Sequence, residues 1–245
     1  MLTDVQAREA VARCWGGALE VLETLPDDGW ALPTRCAGWS VLDLARHGAW
    51  GTSMEADALR RAGAGEDGSG VGIEPDGGPS AVLAALRASV ADLVAALDRP
   101  GVGEGSVTIP FGGIPAAFAL QVFAMEAGVH ADDLAAALGR DGELGADVVT
   151  ATGVVLPAVF PVLAATAGQV TAEGTVVALQ GPTLDLRFGV VDGAWAAVDL
   201  APTATVRSDS DTALLRFALG RVGADDPALQ VDEGARAFKT WFPGP

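Results

Sequence analysis

The chain has 245 residues, of which 15 are Lys or Arg and 32 are Asp or Glu, so its formal net charge is −17. Proteins that bind nucleic acid or anionic membranes neutralise phosphates with Lys and Arg, so this charge argues against both kinds of partner. With two His, two Cys and no Tyr, any acid–base or metal chemistry must come from few positions. Hydrophobic residues make up 50% of the chain, which predicts a folded core rather than disorder.

The first part of the chain carries four amphipathic helical patterns. Apolar residues recur at three- and four-residue steps over the predicted helices, which are 3–25, 41–61, 80–97 and 114–138. Ser40 and Asp43 have the spacing of a capping box at the start of the second helix, and Gly139 is placed to end the fourth. The Gly-rich segment 62–79 is predicted to be a mobile loop, either a lid or an inert surface loop. Four such helices predict a bundle, whose core often holds a metal or cofactor.

After residue 145 the pattern changes to short alternating segments that follow a mostly apolar helix ending at about residue 167. The predicted strands are 175–179, 184–191, 195–200 and 204–206, and two short helices follow at 211–220 and 233–241. We therefore predict an α+β protein with two domains. The first is an all-α four-helix bundle over 1–142, and the second is a small α+β domain over 143–245.

Two uncharged stretches, 105–125 and 148–172, are long enough to be considered as membrane spans. Pro and Gly interrupt both, and no Lys or Arg flanks the longer one closely, so both are predicted to be buried segments without membrane association. Cys14 lies in an apolar helix and Cys36 in a loop, and these unlike contexts do not suggest a disulfide scaffold. A reducing cytoplasm is therefore the predicted location. The oligomeric state is left open, and a monomer would fit.

The fourth predicted helix contains the residues with the strongest functional signal. Between Ile114 and Val129 its only polar side chains are Gln121 and Glu126, so the helix is expected to be buried on all sides. A buried carboxylate needs a partner, and His130 follows Glu126 by one helical turn on the same face. The pair would form either a Glu–His hydrogen bond or two ligands of one metal ion.

A metal ion would need a third ligand, and His47 is the only other histidine in the chain. It lies about two turns into the second predicted helix, which a bundle could place beside the fourth. Asp43 lies one turn before His47, and Asp132 and Asp133 lie near His130. These carboxylates are candidates to orient the two imidazoles.

Three separated segments of the chain form a pattern. They are the loop LPTRCAGWSV at 32–41, His47 on the following helix, and Glu126-x-x-x-His130-x-x-Asp133-Leu134. This pattern resembles the N-terminal domain of the mycothiol-dependent maleylpyruvate isomerase family, which belongs to the DinB-like metal-binding four-helix bundles of actinobacteria. The resemblance covers residues 1 to about 140. From about 145, the strand run and the segment 214–221 are similar in layout to the family's smaller, sterol-carrier-like C-terminal domain.

The resemblance implies that His47, Glu126 and His130 bind a divalent metal, zinc foremost, and that the metal activates mycothiol as a thiolate. The thiolate would isomerise a maleylpyruvate-like substrate from cis to trans, or would be transferred to an electrophile. His47 would then belong to the catalytic centre. Arg221 is a candidate to hold a substrate carboxylate, unless it is a solvated arginine at a helix end. The expected partners are a small-molecule substrate and the thiol.

Two other functions fit the same residues. A non-catalytic protein could bind a hydrophobic small molecule in its C-terminal domain, with the metal structural or absent. A DinB-like enzyme could use ferrous iron or nickel, since two His and one carboxylate also suit those ions. Cys36 is expected to be a packed loop thiol rather than a nucleophile, and Trp30 and Trp39 are expected to anchor the loop rather than bind a ligand. A negatively charged substrate is expected to approach through positive groups such as Arg35 or Arg46.

Overall fold

The computed structural model describes residues 1–66, 69–109, 112–169 and 171–242, and the chain divides into two compact units. The first is Met1–Ala151 and the second is Thr152–Pro245. The first unit is mainly helical and the second combines a sheet with helices, so the predicted α+β class is confirmed. The predicted domain boundary at 142/143 stays a prediction. A helix over Ala146–Thr166 crosses the division between the two units.

Four long helices form most of the first unit, as the apolar spacing predicts. They are α1 Asp4–Glu23, α2 Val41–Ala64, α3 Pro79–Leu97 and α4 Ala116–Ala137. The predicted capping box is present, because the Ser40 hydroxyl accepts from the Asp43 amide and the Asp43 carboxylate accepts from the Ser40 amide. This cap fixes where α2 begins, and it therefore places His47 about two turns into the helix.

A short two-stranded sheet precedes α4, and its second strand overlaps the predicted start of that helix. Strand β1 (Ser106–Ile109) pairs antiparallel with β2 (Gly112–Pro115). Helix α4 therefore begins at Ala116 rather than at Ile114. Pro115 explains the difference, because a proline favours extended backbone in the residue before it and so disfavours a helix that passes through Ile114.

The bundle is held together by packing of α2 on α3 and of α1 on α4. Its core contains large side chains that are almost completely buried, among them Trp15, Leu44, Leu86, Leu93 and Phe123. The buried Gln121 side chain accepts from the Leu2 amide at 2.9 Å and donates to the Leu2 carbonyl at 3.2 Å. These two bonds fix the start of the chain against α4.

Two helices in the described part of the chain, Pro79–Leu97 and Ala146–Thr166, are long and apolar enough to cross a membrane by length and composition. The first is α3, whose Leu86 and Leu93 lie fully buried in the bundle core. A core helix has the same composition as a membrane span, so the composition alone is a weak signal. The expectation of no membrane association stays a prediction.

The second unit contains a five-stranded sheet. Its strands are β3 Val176–Gln180, β4 Asp185–Val191, β5 Ala194–Ala197, β6 Ala204–Arg207 and β7 Gln230–Val231. Their order is β5-β4-β3-β6-β7, in which β3 and β6 are parallel and the other neighbours antiparallel. The helices are α5 Ala146–Thr166, which begins in the first unit, α6 Asp211–Ala218 and α7 Phe238–Trp241. The sequence does not predict β7, because a two-residue strand is too short to show alternation.

The helix predicted over 233–241 is divided in the structure. A 3₁₀ turn covers Glu233–Ala235, and α7 begins only at Phe238. The aromatic rings of Phe160, Phe188, Phe238 and Phe242 form the centre of the unit, with centroids 4.8 to 6.0 Å apart. Because α5, β4 and α7 each contribute a ring, this cluster holds the three elements together.

Candidate metal centre

Helices α2 and α4 bring together the three side chains that the sequence predicts as ligands. Nε2 of His130 lies 3.3 Å from Oε2 of Glu126, and Nε2 of His47 lies 3.9 Å from the same oxygen. One potential ligand atom from each residue lies within 4.8 Å of the others. The structure therefore places two imidazoles and one carboxylate at one point of the bundle.

The centre is open to solvent on one side. The side chain of His130 is 6% exposed, whereas those of His47 and Glu126 are 30% and 33% exposed. Glu126, which the apolar pattern of α4 predicts to lie inside, is therefore only partly buried, although most residues around it on the helix are buried. Its neighbour His47 lines a cavity of the first unit.

A further layer of polar groups surrounds His130. Its Nδ1 lies 3.2 Å from Oδ2 of Asp133, a fully buried carboxylate. The Cys36 thiol donates to the same oxygen at 3.2 Å, and Cys36 is buried as the sequence predicts. Cys36, His130 and Asp133 thereby form a second group of potential metal ligands, which shares His130 with the first.

The sequence also offers two other carboxylates that could orient an imidazole, those of Asp43 and Asp132. Asp43 accepts from the Ser40 hydroxyl at 2.6 Å and from Arg46 at 3.4 Å. In the described part of the chain, its carboxylate is thus directed to the start of α2 and not to His47. Asp132 accepts from Arg35 at 3.1 Å. Asp133, by contrast, contacts a candidate ligand directly, through Nδ1 of His130.

The side chains of the centre influence one another's protonation in the metal-free protein. Burial raises the pKa of Glu126, but the His130 and His47 imidazoles outweigh it and hold this pKa well below its usual range. Burial lowers the pKa of His130, but hydrogen bonds, above all that with Asp133, outweigh it and raise this pKa well above its ordinary value. A metal ion that binds Nε2 of His130 would therefore compete with a proton for this imidazole.

Glu55 is a buried carboxyl group near the centre that the sequence interpretation does not include. It lies about two turns after His47 on α2, it is 5% exposed, and its Oε2 has no hydrogen-bond partner. Burial raises its pKa well above the ordinary value, and the negative charge of Glu126 adds to this shift while His130 opposes it. The sequence signal that could have identified Glu55 is an acidic residue on the apolar face of α2, on the same side of the helix as His47.

Replacing Glu55 by Gln is expected to stabilise the metal-free protein, and the gain should grow as the pH rises. The pKa of Glu55 is higher in the folded than in the unfolded state, so the unfolded chain ionises first. Folding then loses about 1.4 kcal/mol per pH unit between the two pKa values. Urea unfolding of metal-stripped protein at about pH 5 and about pH 7 measures this difference.

The exposed Glu9 on α1 provides the control for that comparison. Glu9→Gln should change the free energy of unfolding by less than about 0.5 kcal/mol at either pH. A Glu55→Gln protein that is as stable as the unsubstituted chain at both pH values would contradict the assignment of Glu55 as a protonated buried carboxyl group.

The arginines expected to attract a substrate have different surroundings. Arg35 is 19% exposed and is paired with Asp132 at 3.1 Å. Arg46 lines the same cavity as His47. Arg221 lies in the second unit, where its Nη1 donates to the Leu219 carbonyl at 2.8 Å. A role of Arg221 in holding a substrate carboxylate stays a prediction.

The sequence of the first unit matches a known family. The family model described as the mycothiol maleylpyruvate isomerase N-terminal domain matches residues 11–135, just over half of the chain. The chain belongs to this family. The matched range includes His47, Glu126 and His130, and the family assigned from the sequence pattern is confirmed.

Two solved structures have the fold of this chain. One is described as the mycothiol-dependent maleylpyruvate isomerase, with a TM-score of 0.68 and 17% identity over 95% of this chain and 94% of that chain. The other is a single-residue mutant of a protein with the same description, with a TM-score of 0.70 and the same identity and coverage. At this identity the likeness concerns the fold. Among curated proteins, none matches the chain.

Proposed function

We propose that the chain is a metal-dependent isomerase that uses a low-molecular-weight thiol, mycothiol, to convert a maleylpyruvate-like cis substrate to its trans isomer. The observation that carries the proposal is the convergence of His47, Glu126 and His130 within 4.8 Å in a member of this family. The two solved structures with this fold are described as mycothiol-dependent, which supports the choice of thiol.

The donor set fits a divalent metal, and zinc is the first choice. Atoms bound to one zinc ion at about 2.0–2.2 Å lie about 3–4 Å apart. Oε2 of Glu126 lies 3.3 Å and 3.9 Å from the two imidazole nitrogens, which agrees with that spacing. Such a metal, when bound, lowers the pKa of a coordinated thiol and makes a thiolate available at neutral pH. The exposed side of His47 and Glu126 leaves space through which the thiol can approach.

Asp133 is the positioning residue for His130 in this proposal. Its Oδ2 accepts from Nδ1 of His130, an arrangement that keeps a proton on Nδ1 and directs Nε2 towards Glu126. Because Asp133 is completely buried, water does not compete for this hydrogen bond. The imidazole is therefore held in one orientation before any ligand arrives.

The proposed isomerisation needs no net proton transfer. The thiolate sulphur forms a bond to one carbon of the double bond, and the electron pair of that bond moves to the conjugated carbonyl oxygen. Rotation about the resulting single bond follows, after which the enolate electrons return, the carbon–sulphur bond breaks and the trans double bond forms. The chain has no Tyr and only two His, and both His are proposed metal ligands. Few side chains are therefore left to act as a general acid, and a reaction that requires no dedicated acid suits this composition.

The reaction itself provides the test of the proposed function. Protein purified without a His-tag should contain about one metal ion per chain and should isomerise maleylpyruvate when mycothiol is present. Removal of either the thiol or the metal, by omission or by a chelator, should stop turnover. A stable thioether product would instead identify thiol transfer to an electrophile, for which the same three ligands would serve. Absence of both products, with less than about 0.2 metal ion per chain, would favour a non-catalytic binding protein.

Asp133→Asn is expected to weaken metal binding by about 10–100-fold, because the loss of an outer hydrogen-bond partner of a ligating histidine costs about this much. An asparagine can present its amide nitrogen to Nδ1 of His130, which would favour the wrong tautomer. Competition with a chromophoric chelator measures the affinity. Cys36→Ser is the control, since it keeps a donor to Asp133. Equal metal affinity in Asp133→Asn and the unsubstituted chain would remove the positioning role.

A further inference from the structure

A cavity of about 450 Å³ lies in the second unit, at the ends of the two neighbouring parallel strands. Gln180 is the last residue of β3 and Arg207 the last residue of β6, and both line the cavity together with residues that follow them. Gln230 of β7 also lines it. In open α/β sheets, ligands bind in the crevice outside the carboxyl ends of the strands, and this cavity has that position. Its volume is in the range of about 300–1,000 Å³ that is usual for small-molecule sites.

Hydrogen bonds hold the wall of this cavity in place. The carboxylate of Asp211, the first residue of α6, accepts from the Thr183 amide at 3.1 Å, which ties the turn after β3 to α6. A Cβ atom at Gly181 in this turn would overlap the Asp211 carboxylate, so only glycine permits so close an approach. On the other side, the Ser208 hydroxyl donates to the Ala228 carbonyl at 2.8 Å. The cavity is therefore formed before any ligand binds.

Three polar side chains of the wall lie in one row across the sheet. Gln180 is the partner of Arg207 in the parallel pairing of β3 with β6, and Arg207 is the partner of Gln230 in the antiparallel pairing of β6 with β7. Partners in register point to the same face of a sheet, and neighbouring strands lie about 4.7–4.9 Å apart. Arg207 therefore stands between two carboxamide side chains, which can donate and accept hydrogen bonds.

The described wall contains one cation and one anion, Arg207 and Asp209. Among the residues that the structure describes, neither side chain has an ion-pair or hydrogen-bond partner, and the two lie beyond salt-bridge distance of each other. Arg187 on β4, by contrast, lies 2.6 Å from Asp185. Both charges of the cavity are thus available to a ligand, at two separate points of its wall.

We propose that this cavity binds a small zwitterion of the size of a dipeptide, with its carboxylate on Arg207 and its ammonium group on Asp209. A guanidinium binds a carboxylate through two parallel hydrogen bonds, and a carboxylate accepts hydrogen bonds from an ammonium group. The carboxamide of Gln230 has the same donor and acceptor groups as a peptide bond and can pair with the one in the ligand. A dicarboxylate or a phosphate ester fits less well, because Asp209 repels a second negative charge.

Calorimetric titration of the full chain with L-alanyl-L-alanine tests the proposal, and a Kd of about 1 mM or lower is expected. Arg207→Gln and Asp209→Asn should each weaken binding by at least about tenfold. Both side chains are exposed, so the fold should be kept, which circular dichroism checks. Arg236→Gln and Asp199→Asn make the same chemical changes at exposed positions of the second unit outside the cavity wall, and they should bind the dipeptide like the unsubstituted chain.

Two analogues of the dipeptide show which end each side chain binds. N-acetyl-alanylalanine lacks the ammonium group and alanylalanine amide lacks the carboxylate, so each should bind at least about tenfold more weakly than the dipeptide. Asp209→Asn should weaken the acetylated analogue no further, and Arg207→Gln should weaken the amide no further. A merely structural effect of either substitution would reduce the binding of all three compounds alike.

Absence of dipeptide binding at about 10 mM would overturn the proposal. Equal affinity for L-alanine would show that the peptide group is not recognised, and it would overturn the dipeptide assignment. Maleate that binds through Arg207 when the dipeptide does not would make the cavity an anion site instead. The titration involves no metal, thiol or turnover, so its outcome is independent of the proposed isomerase activity.

Discussion

Changing Glu126 to Gln is expected to lower metal affinity by more than about 100-fold and isomerase activity by at least about 1,000-fold. Loss of an outer partner of a ligand costs about 10–100-fold in affinity, and loss of a ligand itself should cost more. An amide keeps the size of the carboxyl group but not its negative charge. Oε2 of Glu126 lies 3.3 Å from Nε2 of His130 and 3.9 Å from Nε2 of His47, so the charge that the substitution removes lies beside both rings. Elemental analysis after dialysis and the rate with maleylpyruvate and mycothiol measure both effects.

Glu20→Gln makes the same chemical change at an exposed position of α1 and should keep both metal and activity. His47→Ala removes the ligand that comes from α2 and should leave less than about 0.2 metal ion per chain. Metal that stays bound in both Glu126→Gln and His47→Ala would contradict the proposed centre. If that metal were then lost in Asp133→Asn, the ion would belong to the group formed by Cys36, His130 and Asp133 instead.

The parts of this centre that the sequence predicts correctly depend on local signals. The cap formed by Ser40 and Asp43 is a short-range pattern, and it fixes the start of α2 and hence the place of His47 along the helix. The spacing of Glu126 and His130 is likewise set by helix geometry alone. Both elements could therefore be placed before any contact between the helices was known. That α2 and α4 place His47 beside Glu126 is a tertiary fact, for which the sequence provided the scarcity of histidine and the family resemblance.

The features that the sequence does not predict depend on contacts between distant segments. Glu126 is 33% exposed on an otherwise buried helix, and this exposure depends on what packs around α4, which the pattern of α4 alone does not contain. The lack of a hydrogen-bond partner at the buried Oε2 of Glu55, and the cavity beside His47 that Trp50 lines, depend on what packs against α2. The sequence does not predict the two-stranded sheet before α4, because both strands are only four residues long and the second consists largely of Gly and Pro.

Gly128→Ala is expected to destabilise the protein by about 1–3 kcal/mol, although alanine is the better helix former. Gly128 lies on α4 against Val148 of α5, and a Cβ atom there would overlap both methyl carbons of Val148. Val148 is 1% exposed, so it has no open space into which to move. Urea or thermal unfolding measures the change. Gly51→Ala is the matched control on α2, since nothing lies within 4 Å of its added Cβ, and it should stabilise the protein by about 0.5–1 kcal/mol.

The overlap at Gly128 also connects helix packing to the metal centre, because Glu126 and His130 lie two residues to either side of it on α4. If α4 moves away from Val148 to accommodate alanine, both ligands move with it, and metal affinity should fall together with stability. Val148→Ala removes the two methyl groups and should recover part of both losses in the double variant, with a coupling energy of about 1–2 kcal/mol. A Gly128→Ala protein that gains stability as Gly51→Ala does would show that α4 and α5 are not in close contact at this position. Recovery of stability without recovery of metal affinity would show that the ligands do not move with α4.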